Sequence, residues 1–110
     1  MYTYKGTIKR IIDADTMDAE IDVGFNIKVN VRIRIKGYDA PESFRPSCDT
    51  EKEHAIKATE KAKELLIGEL IFKTYKEGVY NRYIADIIIN GDINYANQMQ
   101  ELGFSKLDKY

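Results

Sequence analysis

Apolar and polar residues alternate strictly through the clearest segment of the chain. Met17, Ala19, Ile21 and Val23 alternate with Asp18, Glu20 and Asp22. Beyond Gly24, Phe25, Ile27, Val29, Val31, Ile33 and Ile35 alternate with Asn26, Lys28, Asn30, Arg32, Arg34 and Lys36. A period of two turns one set of side chains to a core and the other to water. The segment therefore predicts two half-buried strands joined at Gly24. The unbroken run from Phe25 to Lys36 suits a long curved strand of a small barrel better than an open sheet. Upstream, Tyr2 to Ile12 mixes aromatics, Thr and Ile in a first strand, with Gly6 marking a bend or bulge.

The alternation stops at Gly37, and a loop running to Thr50 carries Pro41 and Pro46. Thr50 reads as a helix N-cap, with Glu53 completing a capping box. Ala55, Ala58, Ala62, Leu65 and Leu66 then recur at helical spacing with Lys and Glu on the other faces, and Gly68 reads as the stop. Leu70 to Lys76 and Tyr83 to Ile89 predict two more strands, followed by the turn pair Asn90-Gly91. A last short helix is expected from after Asn94 to near Gly103, with Tyr95, Met99 and Leu102 inward. Three strands, a helix, two strands and a short helix is the order of a five-stranded oligonucleotide-binding (OB) barrel, its helix lying between strands three and four.

The 110 residues fit one domain, 1–110. With 44% hydrophobic and 32% charged residues, the composition is that of a soluble globular protein. No apolar run approaches the roughly 20 residues of a membrane span. The N-terminus has no apolar signal-peptide core, so a cytoplasmic monomer is expected, although a trimmed secreted form would have the same sequence. Cys48 stands alone, which rules out an intrachain disulfide, and reads as an incidental loop thiol. His54 is the single histidine, which argues against multi-histidine zinc sites and a histidine-based triad. The net charge of −1 argues against nucleic-acid binding through bulk positive charge, so phosphate recognition must be local or metal-assisted.

Three segments carry candidate chemistry. I-I-D-A-D-T (residues 11–16) sets Asp13 and Asp15 between two strands; R-I-K-G-Y-D-A-P-E (34–42) runs off a strand end and delivers Arg34, Asp39 and Glu42; V-Y-N-R-Y-I-A-D (79–86) brings Arg82 to the start of the fifth strand. Strand ends and the loops joining them are where a rigid barrel presents polar groups. A hard divalent cation prefers oxygen ligands, which Asp15 and Asp39 can supply. Glu42 can orient or deprotonate water, and two guanidiniums can grip a phosphate as charge builds on it. Each piece has a plainer reading: turn carboxylates for Asp13 and Asp15, a solvated strand charge for Arg34, an ordinary turn for 39–42. Arg82 alone says nothing.

Together, D-A-D-T, R-I-K-G-Y-D-A-P-E and Y-N-R resemble the staphylococcal nuclease (thermonuclease) family, whose pattern runs D-G-D-T, R-x-x-x-x-D-[TA]-P-E and Y-G-R in the same order. The following helix, the N-G turn and the final E-L-G-F are similar as well. The resemblance implies a calcium-dependent nuclease of DNA or RNA, with water attacking phosphorus in line and the 5′ oxygen leaving. It implies calcium ligands at Asp15, Asp39 and the backbone carbonyl of Ala40, and a catalytic set of Arg34, Glu42 and Arg82. Tyr80 is implied beside the nucleotide, and Asp13 behind Asp15 or a metal-bound water. Ala14 and Asn81 replace family glycines, and Gly78 and Val79 replace a common Asp and Lys. With the sequence ending at Tyr110, the resemblance implies a short form, without the prototype's long C-terminal helix. The alternative is a non-catalytic OB-type module that binds nucleic acid or a partner, with Tyr75, Tyr80 and Tyr83 as a stacking platform.

Overall fold

The structure is a computed structural model that describes residues 2–42, 48–75 and 82–107, with only the main chain of Arg82. Its elements run β1 (Tyr2–Asp13), β2 (Thr16–Asp22), β3 (Lys28–Ile35), α1 (Asp49–Leu65), β4 (Leu70–Tyr75), β5 (Arg82–Ile89), β6 (Ile93–Asn94) and α2 (Tyr95–Glu101). β1 pairs antiparallel with β2 and with β4, β2 with β3, and β4 with β5. The parallel pairing of β3 with β5 closes the circuit into a five-stranded barrel, with β6 a short addition beside β5. Among the described residues no helix is long and apolar enough to cross a membrane.

Closure rests on β1 serving two neighbours. Gly6 sits opposite Ile21 of β2 and Leu70 of β4 at once. An added Cβ there would lie 2.5 Å from the Glu20 carbonyl oxygen, so only glycine lets the strands approach this closely. Register breaks between Ile8 and Arg10 and between Ile11 and Asp13 are the bulges that bend β1 further.

The alternating residues meet inside. Met17, Ala19 and Ile21 of β2 pack with Ile33 and Ile35 of β3, Leu70 and Phe72 of β4, and Ala85, Ile87 and Ile89 of β5. Each large side chain so buried contributes roughly 1.5–3 kcal/mol. The helix α1 closes one side through Ala58, Ala62 and Leu66, whose small alanines bring its backbone near the barrel, and α2 adds Tyr95, Ala96 and Met99.

The structure corrects several sequence expectations. Gly24, Phe25 and Asn26 all take positive φ and form a wider turn, held by Ile27 N–H to Gly24 O at 2.9 Å, so β3 starts only at Lys28. The hairpin outruns the core, leaving Phe25 98% exposed although its parity is apolar. Helix α1 begins at Asp49 with Cys48 at the N-cap position, where its side chain makes no capping hydrogen bond, so Thr50 lies within the first turn and the expected capping box is not used. Acidic Asp49 and Glu51 in that turn suit the helix dipole instead. Asn94 does cap α2, accepting from the Asn97 N–H at 3.0 Å. Leu102 is exposed rather than inward, because the helix ends at Glu101 and Ala96 takes the core position.

Candidate active site

The hairpin register builds one end of the barrel. Thr16 pairs with Arg34 across β2 and β3, and the Ile35 N–H donates to the Asp15 carbonyl at 2.9 Å. The turn between β1 and β2 therefore lies against the end of β3 and the loop that leaves it. Here a polar cavity of about 380 Å³ is lined by Asp13, Asp15, Thr16, Arg34, Asp39, Ala40, Glu42 and Lys106.

Asp15 is a buried carboxylate, only 7% exposed. Its Oδ1 accepts from the Thr16 hydroxyl at 3.0 Å. Its Oδ2 accepts the Ala40 N–H at 2.9 Å and also meets the Arg34 guanidinium. The same guanidinium turns its other terminal nitrogen to Asp39, so one arginine bridges two carboxylates from different segments. Burial acts to lower the Arg34 pKa, but the hydrogen bond and charge of Asp15, reinforced by Asp39, outweigh it and raise the pKa above its usual value. The neighbouring Arg32 does something else: it pairs across the strands with Asp18 at 2.9 Å on the open surface, a structural pair outside the cavity.

The loops around the cavity are pinned through main-chain atoms. Tyr95, fully buried, donates its hydroxyl to the Ala14 carbonyl. Burial pushes the Tyr95 phenol far above its ordinary value, with the charges of Tyr38 and Asp15 adding to the effect. Tyr38 meets the Tyr95 ring edge-on and donates to the Phe104 carbonyl at 2.6 Å. The Asp39 carbonyl accepts the Lys106 N–H at 2.8 Å. Ala14, which stands where the resembling family has glycine, has no left-handed backbone to sustain, and its methyl joins the core.

Of the residues singled out from sequence, Asp13, Asp15, Arg34, Asp39, Ala40 and Glu42 all line the one cavity. The main chain of Arg82 starts β5 opposite Arg32 of β3, two residues before Ile84 pairs with Arg34. The Arg82 side chain and Tyr80 lie outside the described residues, as do Gly78, Val79 and Asn81. Tyr83 is exposed, while Lys36 Nζ sits 4.0 Å over the Tyr75 ring and occupies one face of that part of the supposed stacking platform.

Two residues at this end were missed from sequence, Lys106 on the cavity wall and Glu51 behind it. Lys106 has no periodic signal. Glu51 had one: it continues the buried stripe Ala55, Ala58, Ala62 one turn toward the helix start, where a carboxylate is out of place.

As donors to a cation, the cavity lining has the carboxylates of Asp13, Asp15, Asp39 and Glu42 and the Thr16 hydroxyl, hard oxygen groups of the kind a divalent cation takes. The Arg34 guanidinium between Asp15 and Asp39 is itself a cation in that place.

Comparison with known proteins agrees with this architecture. No curated protein is similar enough to the chain to count as a match. The family model described as staphylococcal nuclease homologue matches residues 32–110, a span that takes in Arg34, Asp39, Ala40, Glu42 and Arg82 and leaves Asp13 and Asp15 outside it. Asp15 is joined to the matched part by its contacts with Ala40 and Arg34. With more than half its length matched and an OB-type barrel to carry it, the chain belongs to the staphylococcal nuclease homologue family.

Proposed function

We propose that the chain is a calcium-dependent nuclease that hydrolyses phosphodiester bonds of DNA, RNA or both. One observation carries the reading: a single guanidinium gathers Asp15 and Asp39 on the wall of a cavity that Glu42 also lines. Asp15, Asp39 and the Ala40 carbonyl are the ligands for the ion. Calcium held there would polarise a phosphoryl oxygen and offset charge on the phosphate. Among the described residues no three of His, Cys, Asp and Glu gather into a ready-made cage. With so few protein ligands, a bound calcium would sit at the weak end of protein calcium sites, on the order of 10⁻⁴–10⁻³ M.

Glu42, exposed at the cavity mouth, takes a proton from the attacking water. Arg34 and Arg82 make charge-assisted bonds to the phosphate as negative charge accumulates, a task for which the guanidinium fork suits better than an ammonium. Asp13 holds Asp15 or an ordered water in place, and Tyr80 lies along the nucleotide. With a net charge of −1, affinity for long polymers is modest and local.

The test is cleavage of single-stranded DNA and RNA by the full chain at millimolar-range calcium, compared with Glu42→Gln. An enzyme loses at least about 100-fold in rate in the variant while retaining oligonucleotide affinity. Intact substrate after treatment with the parent, together with unchanged binding by the variant, selects the non-catalytic module instead.

A further inference from the structure

A carboxylate with no exposed surface is expensive to keep charged and persists where partners hold it. Glu51, in the first turn of α1, has none of its side chain exposed. Its Oε2 accepts the main-chain N–H of Glu42 at 3.4 Å and faces Lys106 Nζ at 3.6 Å. Both partners line the cavity, and each comes from a different segment: Glu42 from the loop after β3, Lys106 from the segment after α2. Lys106 is tied to the same loop a second time through its N–H bond to the Asp39 carbonyl. Ala58 and Ala62 pack α1 into the barrel core, and Ala55 continues the buried face toward Glu51, so the position of Glu51 is set by packing.

We infer that Glu51 is a positioning residue for the reaction. It transmits the rigid seat of α1 to the main chain of Glu42 and anchors the Lys106 ammonium on the cavity wall. This rests on Glu42 being the proton acceptor of the proposed nuclease. The side chain of Glu42 is exposed, so its aim depends on where its backbone is held. Small displacements of a reacting group are costly in rate, whereas ground-state binding of the polymer depends on the phosphate contacts.

Two conservative variants of the full chain separate reach from charge. Glu51→Gln keeps an acceptor oxygen at the right length and loses the charge. Glu51→Asp keeps the charge and withdraws the acceptor by one methylene. The readouts are hydrogen exchange of the Glu42 amide without substrate, kcat and KM on single-stranded DNA with calcium, and the urea midpoint. The expected result is a kcat about tenfold lower in Glu51→Asp with KM nearly unchanged, and partial recovery in Glu51→Gln. Protection of the Glu42 amide should follow the same order. If both variants keep the parent's kcat and amide protection and only the urea midpoint falls, Glu51 is ordinary packing and the inference is overturned. If the parent does not cleave, the nuclease reading fails by itself. The amide exchange then still decides whether Glu51 holds the loop: faster exchange in Glu51→Asp supports the tether, and unchanged exchange removes it.

Discussion

The main-chain N–H of Ala40 donates to Asp15 Oδ2 at 2.9 Å, joining residues 25 positions apart and both nearly excluded from solvent. The Asp15 carboxylate thus holds the loop after β3 as well as offering a ligand. Asp15→Ala strips the acceptor from a buried N–H and a partner from Arg34, a loss of about 1–3 kcal/mol in stability. The parent should gain further stability from added calcium, because binding favours the folded state, and the variant should gain none. Urea unfolding with and without calcium measures both effects. A variant as stable as the parent would show that the loop is held by something other than Asp15.

Arg34 occupies the space between the two acids that a cation would share, so ion and guanidinium compete. Removing the positive charge in Arg34→Gln should therefore tighten calcium binding in the absence of nucleotide, by about tenfold or 1.4 kcal/mol. The same variant should lose cleavage, since the fork that would meet the phosphate is gone. Titration calorimetry with calcium alone checks the first statement independently of the second. Weaker binding by the variant would mean that Arg34 organises the acids for the ion rather than opposing it.

Tyr95 joins α2 to the turn between the first two strands through the Ala14 carbonyl. Burial, with help from the nearby Tyr38 and Asp15 charges, raises its folded-state pKa above the ordinary value of 10.0. Below that value the phenol is neutral in folded and unfolded chains alike, so it adds no pH dependence. As pH climbs past it, the unfolded chain releases a proton that the folded chain retains, and stability falls by up to about 1.4 kcal/mol per pH unit. Tyr95→Phe should lose about 1 kcal/mol near neutrality with its hydrogen bond, yet show a flatter decline between roughly pH 10 and roughly pH 12. Urea midpoints across that range decide it; parallel curves would refute a buried phenol at this position.

Much of the barrel was legible because its elements obey local rules. The alternation through Met17–Ile21 and Ile33–Ile35 names the core faces of β2 and β3, and a turn near Gly24 is enough to bring Thr16 opposite Arg34. From that register alone, Asp15 and the end of β3 must be neighbours. The alanine stripe of α1 was equally readable. What escaped depends on atoms far apart in sequence. Helix α1 starts at Asp49 with Glu51 buried in its first turn, a burial that the capping pattern at Thr50 does not announce. The apolar parity of Phe25 and Ile27 predicts burial, but the barrel is too short to cover them. Lys106 reaches the cavity only because the segment after α2 returns to the Asp39 carbonyl, a contact with no periodic trace.

The sequence marks Gly6 as a bend or bulge, and the structure gives it a stricter role. It is buried where β1 changes partners, with φ outside the left-handed region, so its need for glycine comes from space and not from backbone conformation. The atom nearest an added Cβ is the Glu20 main-chain oxygen at 2.5 Å, and the Ile21 and Phe72 side chains follow at 3.0 Å. A carbonyl inside a ladder cannot swing aside as a surface side chain does, so Gly6→Ala must part β1 from β2. Alanine would ordinarily stabilise a strand position by lowering the entropy of the unfolded chain, by about 0.4–1 kcal/mol. Overpacking costs about 1–3 kcal/mol and more where backbone must move, so the clash wins and the variant should be less stable by about 1–3 kcal/mol. The displacement travels along β1 toward Asp13, so calcium binding should weaken with it. A thermal melt of the variant at or above the parent's midpoint would show that the barrel closes less tightly at this point than the strand registers require.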